Sequence, residues 1–240
     1  MRRTLVLLLL MAPLACASPS GPRASDSSFA PPRTPQEAET RLQFLERSLD
    51  ANRRHAQIWY WSWLTINGGG VAASAYGAAT TDDGGDRAFN IVQASQAALG
   101  LTDMLVLRPM PGRQGADPLR YAGARGIDID TRVKEGERML IAAADRAEQS
   151  RDWRLHAANL ALQAVGAGVL LALGEPGYAG LTMALGLVGG EANFWSEPHR
   201  AAGDLAAYRK LVETGALPDE PRAQWFLGPT SNGVAVQLRY

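Results

Sequence analysis

One pattern restricts this chain more than any other: a charged amphipathic stretch, two apolar stretches and a short helix occur in that order twice. Thr40-Arg41-Leu42 returns as Thr131-Arg132-Val133, and Glu46-Arg47 as Glu137-Arg138. Leu49, Ala51 and Ala56 return as Leu140, Ala142 and Ala147, while Trp61 matches Trp153 and Asn67 matches Asn159. Further on, Leu99-Gly100 matches Val188-Gly189, Pro109 matches Pro198, and Asp117 and Tyr121 match Asp204 and Tyr208. The offset falls from about 91 to about 87, as small insertions and deletions in loops would produce. Trp, Asn, Pro and Tyr in register are hard to obtain by chance. An all-α fold follows as the expectation: a tandem duplication of an amphipathic helix plus an apolar helical hairpin, packed as one bundle. The units are expected at 34–122 and 123–214, with a short extended or β C-terminal tail at 215–240.

Local signals support the helices. Thr34-Pro35-Gln36-Glu37 reads as a capping box with proline at the first helical position. Leu42, Leu45 and Leu49 then share a face opposite Glu46, Arg47, Arg53 and Arg54. In the second unit Asp130 is the expected cap, and Val133, Met139, Leu140 and Ala144 form the apolar face. The apolar helices are expected at 58–79 and 87–107, and at 155–173 and 178–195. Turns at 80–86 and 174–177 separate the members of each pair. Gly233 to Tyr240 alternates apolar and polar residues, the period of a strand.

The first residues read as an export signal. Met1-Arg2-Arg3 is a short positive region, Thr4 to Leu14 an apolar run too short to span a bilayer, and Ala15, Cys16 and Ala17 are small. Leu14-Ala15-Cys16 resembles a lipobox, with Pro13 standing where that pattern has a branched apolar residue. Ordinary cleavage at Ala15-Cys16-Ala17 is the competing reading. Cys16 is the chain's single cysteine, so it gains no internal disulfide by staying. Residues 1–17 are therefore expected as a signal peptide with Cys16 the lipidation site. Residues 18–33, rich in Ser, Pro and Ala, are expected as a flexible tether. The expected location is the cell envelope of a bacterium, membrane-associated at the periplasmic face or the outer membrane.

Hairpins of this length could enter a membrane, and Trp59, Tyr60, Trp61, Trp63 and Trp195 could form an interfacial belt. Against ordinary spans stand Asn67, Gln93, Gln96, Asp103, Gln163, Glu191 and Asn193 within them, and a slightly negative mean hydropathy. Charge placement also opposes them: with the N-terminal segment outside, the turns carrying Asp82, Asp83, Asp86 and Glu175 would face the cytoplasm. That arrangement inverts the positive-inside rule.

Chemistry-bearing residues are sparse. Asn67 with Asn159, and Asp103 with Glu191, fall at matching or nearly matching places in the two units. In a duplicated bundle they could line a shared polar axis or simply fix helix register by hydrogen bonding. Glu197 and His199 flank Pro198, a spacing unsuited to metal ligation on a helix, and Asp128-Ile129-Asp130 reads as helix capping. His55 and His156 each stand alone near a helix start. No nucleophile elbow, phosphate loop or Cys/His pair is present, no cofactor or metal is expected, and zero net charge argues against nucleic acid as a partner. The expectation is a non-enzymatic exported envelope (lipo)protein, a structural or interaction component with a membrane and envelope proteins as partners. The alternative is a small helical channel or transporter-like protein that uses the repeated polar residues.

Overall fold

Thr34 ends an extended entry, and its hydroxyl oxygen accepts from the Glu37 amide at 3.1 Å, with Pro35 at the first helical position. Glu37 Oε2 accepts from the Arg33 amide at 2.9 Å, one residue earlier than a reciprocal capping box would use. From this cap α1 (Pro35–Thr80) runs unbroken through both the charged and the first apolar segment. Asp83 caps α2 (Gly84–Thr102), which passes into one π-helical turn, Asp103–Leu107. There follow α3 (Asp117–Ala124), α4 (Ile129–Gln149), α5 (Trp153–Ala172), α6 (Pro176–Trp195) and α7 (Arg200–Thr214). This computed structural model describes residues 29–107 and 109–216, and the backbone alone of 224–230 and 233–239. The export signal, Cys16 and the tether up to residue 28 lie outside the described residues.

The body of the protein is all-α. Past it, the backbone of β1 (Gln224–Thr230) pairs antiparallel with β2 (Gly233–Arg239). The second charged helix and its apolar successor are separate because Asp152, just before Trp153, accepts from the Arg154 amide at 2.9 Å and starts a new helix. In α1 the residue before Trp61 is Tyr60, which offers no such cap. Asp128, rather than the expected Asp130, caps α4, accepting from Thr131 N at 2.9 Å and Thr131 Oγ1 at 2.7 Å.

Two regions divide these helices. The first half of α1 with α3, α4 and α7 buries a core of Leu42, Leu45, Leu49, Leu119, Val133, Leu140, Leu205 and Tyr208. The second half of α1 pairs with α2, and α5 pairs with α6, as two hairpins that touch through α2. Phe29 and Ala30, expected near the end of a flexible tether, contact the bundle. The Phe29 ring meets Tyr208 edge-on at 4.9 Å, and Arg41 Nη1 donates to the Ala30 carbonyl at 2.7 Å. A large aromatic in an otherwise small and polar segment supplies the surface that offsets the ordering of these residues.

Glu137 is a buried acid of the bundle core. Tyr208 Oη donates to Glu137 Oε1 at 2.5 Å, and Arg41 Nη1 lies 3.8 Å from the same oxygen. Burial outweighs both partners and pushes the Glu137 carboxyl above its ordinary range. A carboxyl with a higher pKa when folded binds its proton more tightly in the native state. Its contribution is therefore most favourable at acid pH and declines as pH rises from the ordinary carboxylate value through the raised one. Glu137→Gln is expected to remove this decline. The stability of the wild type relative to the variant should fall as pH rises above the ordinary carboxylate value of about 4. Thermal melts of both proteins across that range measure it, and parallel pH profiles would exclude the assignment.

Candidate functional site

Around a small apolar core of Val92, Ala167, Leu170 and Ala179, the hairpins turn much of their apolar surface outward. In α5 and α6 the polar side chains of Asn159, Gln163 and Thr182 are buried. The apolar side chains of Leu171 (57 %), Leu185 (54 %) and Val188 (72 %) are exposed, as are Leu160 and Leu181. On the first hairpin Ile66 (57 %), Tyr76, Ile91 and Val106 also face outward. A helix that turns its apolar face away from its own core is matched to an apolar surrounding.

Inside the second hairpin the polar groups form a ladder. His156 Nδ1 lies 2.7 Å from Glu191 Oε2, Asn159 Nδ2 donates to Glu191 Oε1 at 3.4 Å, and Gln163 Nε2 donates to Asn159 Oδ1 at 3.2 Å. His156, Asn159, Gln163 and Gly166 follow one another at spacings of three or four residues, so α5 presents them on one face. Glycines on the facing helix, α6, make the room. The Asn159 amide occupies the place a side chain on Gly190 would take, and Gln163 does the same at Gly186. Gln163 Oε1, Thr182 Oγ1 and Gln96 Nε2 are buried without a hydrogen-bond partner in the structure. The ladder thus continues in chemistry, though not in bonded contact, toward α2.

The first hairpin repeats this packing in part. Asn67 Nδ2 donates to the Trp63 carbonyl at 2.9 Å and lies 3.7 Å from Met104 Sδ. A methyl placed on Gly100 would fall 2.5 Å from Asn67 Oδ1. Each of the two asparagines is therefore seated on a glycine of its own hairpin. Of the four expected polar-axis residues, Asn159 and Glu191 meet directly, Asn67 is held by partners in the other hairpin, and Asp103 opens the π-helical turn. His156, expected to stand alone, is the partner of Glu191, and its place on the Asn159 face of α5 was the signal for it.

At the junction between bundle and hairpins the remaining polar residues find separate roles. Trp59 Nε1 donates to the Asn193 carbonyl at 3.1 Å and Trp63 Nε1 to Ser196 Oγ at 3.1 Å. His55 Nε2 lies 3.0 Å from the Ser196 carbonyl. Glu197 and Arg146, both buried, form an ion pair, with the Arg146 guanidinium 5.8 Å from the centre of the Trp59 ring. His199 is spent on Ser150, whose Oγ lies 3.4 Å from Nδ1, and burial pushes its imidazole below the usual histidine value. Glu197 and His199 therefore serve different neighbours. Among the described residues no group of three or more His, Cys, Asp or Glu side chains is placed to hold a metal ion.

Comparison of the chain with protein-family models, with curated proteins and with solved structures gives no match.

Proposed function

We propose that this protein is an exported, non-enzymatic cell-envelope protein whose two hairpins sit in a membrane and whose charged bundle stands outside it as an interaction module. The observation that carries this reading is the second hairpin, which buries Asn159, Gln163 and Thr182 and leaves Leu171, Leu185 and Val188 exposed. In lipid the outward-facing apolar side chains meet an apolar solvent; in water they are left exposed. Helix length agrees, since 20 residues extend about 30 Å, near the thickness of a hydrocarbon core. By length and composition α5 alone qualifies as a span among the described residues. For the other three helices the support is exposure rather than hydropathy.

The same reading takes the molecule as a tandem duplication, favoured by the two asparagine-on-glycine contacts and the like order of elements in each half. It takes Cys16 as the lipidated end of an export signal. Protein made without residues 1–17 tests the hairpins apart from any lipid anchor. It is expected to remain with membranes through high-salt and carbonate washes and to leave them only in detergent. A monodisperse protein in buffer alone would overturn the membrane reading. Labelling with a radioactive fatty acid, abolished by Cys16→Ala, tests the anchor. The polar ladder is the one observation favouring the alternative, a small channel or transporter. That reading requires ion flux through the reconstituted protein which Glu191→Gln abolishes.

A further inference from the structure

Beside the bundle–hairpin junction lies a cleft of about 460 Å³ whose walls include Arg53, Gln57, Arg113, Asp117, Pro118 and Tyr121. We propose that this cleft binds the phosphodiester of an anionic phospholipid, with Arg113 as its principal ligand. The inference rests on the membrane reading above and names the lipid chemistry that reading leaves open.

The first argument is the state of the arginines. The Arg113 guanidinium stacks 3.8 Å from the centre of the Tyr60 ring, and it has no carboxylate partner among the described residues. Stacking holds the planar group by its face and leaves its edge of N–H donors free, the edge that matches two phosphate oxygens at once. The acid of the cleft is already compensated: Asp117 lies 2.8 Å from Arg53 Nη1 and 3.5 Å from Arg120 Nη1. The lining therefore keeps a surplus positive charge beside an aromatic floor.

The second argument is that the arginine is held in place before any ligand arrives. Its carbonyl accepts from Gln57 Nε2 at 2.9 Å, and the turn that carries it is hung from Asp50, whose Oδ1 accepts from the Ala116 amide at 2.9 Å. Gly112 and Gly115, at φ of 77° and 59°, let the turn bend in the left-handed region. A side chain on Gly115 would in addition come 2.7 Å from Asp50 Oδ1.

The third argument is height. Tyr60, under Arg113, is edge-packed on the exposed Trp61 at 5.3 Å. Trp59 and Trp63, on the same turns of α1, bond to the last turn of α6 and the residue after it. The His156 ring, on the first turn of α5, lies 5.4 Å from Phe194 and 6.1 Å from Trp195. Trp61, Trp153 and Trp195 therefore share one level at the base of the hairpins, where aromatic side chains meet lipid headgroups. On α1 the cleft is lined by Arg53 and Gln57, about one to two turns on the bundle side of Trp61. Arg113 itself reaches Tyr60, which places its guanidinium at the edge of the aromatic level, where a phosphodiester would lie.

The test uses the full chain in neutral phosphatidylcholine nanodiscs, titrated with phosphatidylglycerol and read by native mass spectrometry of lipid retained on the protein. Arg113→Gln is expected to weaken phosphatidylglycerol retention about tenfold and Arg113→Glu to abolish it. Arg138→Gln, which removes a charge from the exposed face of α4, should leave it unchanged. Equal retention by wild type and Arg113→Gln overturns the proposal, and so does an equal loss on Arg138→Gln, which would mean a diffuse field. Displacement of the lipid by millimolar glycerol phosphate or inorganic phosphate overturns the lipid assignment in favour of a soluble phosphate. Failure of the chain to enter neutral nanodiscs at all would count against the membrane reading. Entry without any preference for phosphatidylglycerol would count against the cleft alone.

Discussion

Replacing Glu197 by alanine is expected to cost roughly 3–5 kcal/mol of stability, the usual consequence of removing one member of a buried ion pair. Glu197 is 1 % exposed and Arg146, on α4, only a little more, so the arginine left behind would lose its carboxylate in a place water does not reach. The pair joins the end of α4 to the turn between α6 and α7, which is also where Trp59 and Asn193 meet. The loss should therefore loosen the joint between bundle and hairpins as well as lower the melting temperature. The double variant Arg146→Met, Glu197→Met provides the control, because replacing both members by apolar side chains of similar volume is close to neutral. A single Glu197→Ala variant as stable as the wild type would show that the pair carries no weight.

The second large effect tests the proposed membrane contact. Leu185 lies midway along α6 with its side chain facing outward. With the hairpins in lipid as proposed, an arginine there would sit near the centre of the hydrocarbon, at a cost of roughly 2.5–3.5 kcal/mol on insertion scales. Leu185→Arg should thus lower partition of the residue 1–17 deletion into neutral vesicles by roughly 100-fold. Ala142→Arg, which places the same charge on an exposed position of α4 in the bundle, should leave partition unchanged. If both variants partition alike, the outward face of α6 does not meet lipid.

Helix positions were the legible part of this chain because their signals are local. Thr34, Pro35 and Asp83 act within one turn of themselves, and runs of apolar residues between Gly- and Asp-containing turns mark the hairpins whatever surrounds them. A charged helix followed by a separate apolar one was expected in both units, but only the second has a capping residue at the join, Asp152, and in the first the two run together as α1. What the sequence does not display is pairing at a distance. Glu197 faces Arg146, 51 residues earlier, and Trp59 reaches Asn193 across 134. Nothing near either residue in the chain announces those partners. Phe29 was hidden among small and polar neighbours, and its role emerges only when Tyr208 is brought against it. Arg113 is a similar case: in the sequence it is one arginine among many, and only Tyr60 and the turn hung from Asp50 distinguish it.

The docking of Phe29 sets a limit on reach. Phe29 and Ala30 lie at the start of α1, and from Pro35 to Trp59 that helix covers about 36 Å at 1.5 Å per residue. The roughly 13 peptide units between Cys16 and Phe29 span at most about 45 Å when drawn straight. An acyl chain on Cys16 could therefore share a bilayer surface with the hairpins only if its leader lay nearly taut along the flank of the bundle. An anchor in a facing bilayer would require no such return path, and the bundle would then measure the gap between the two surfaces.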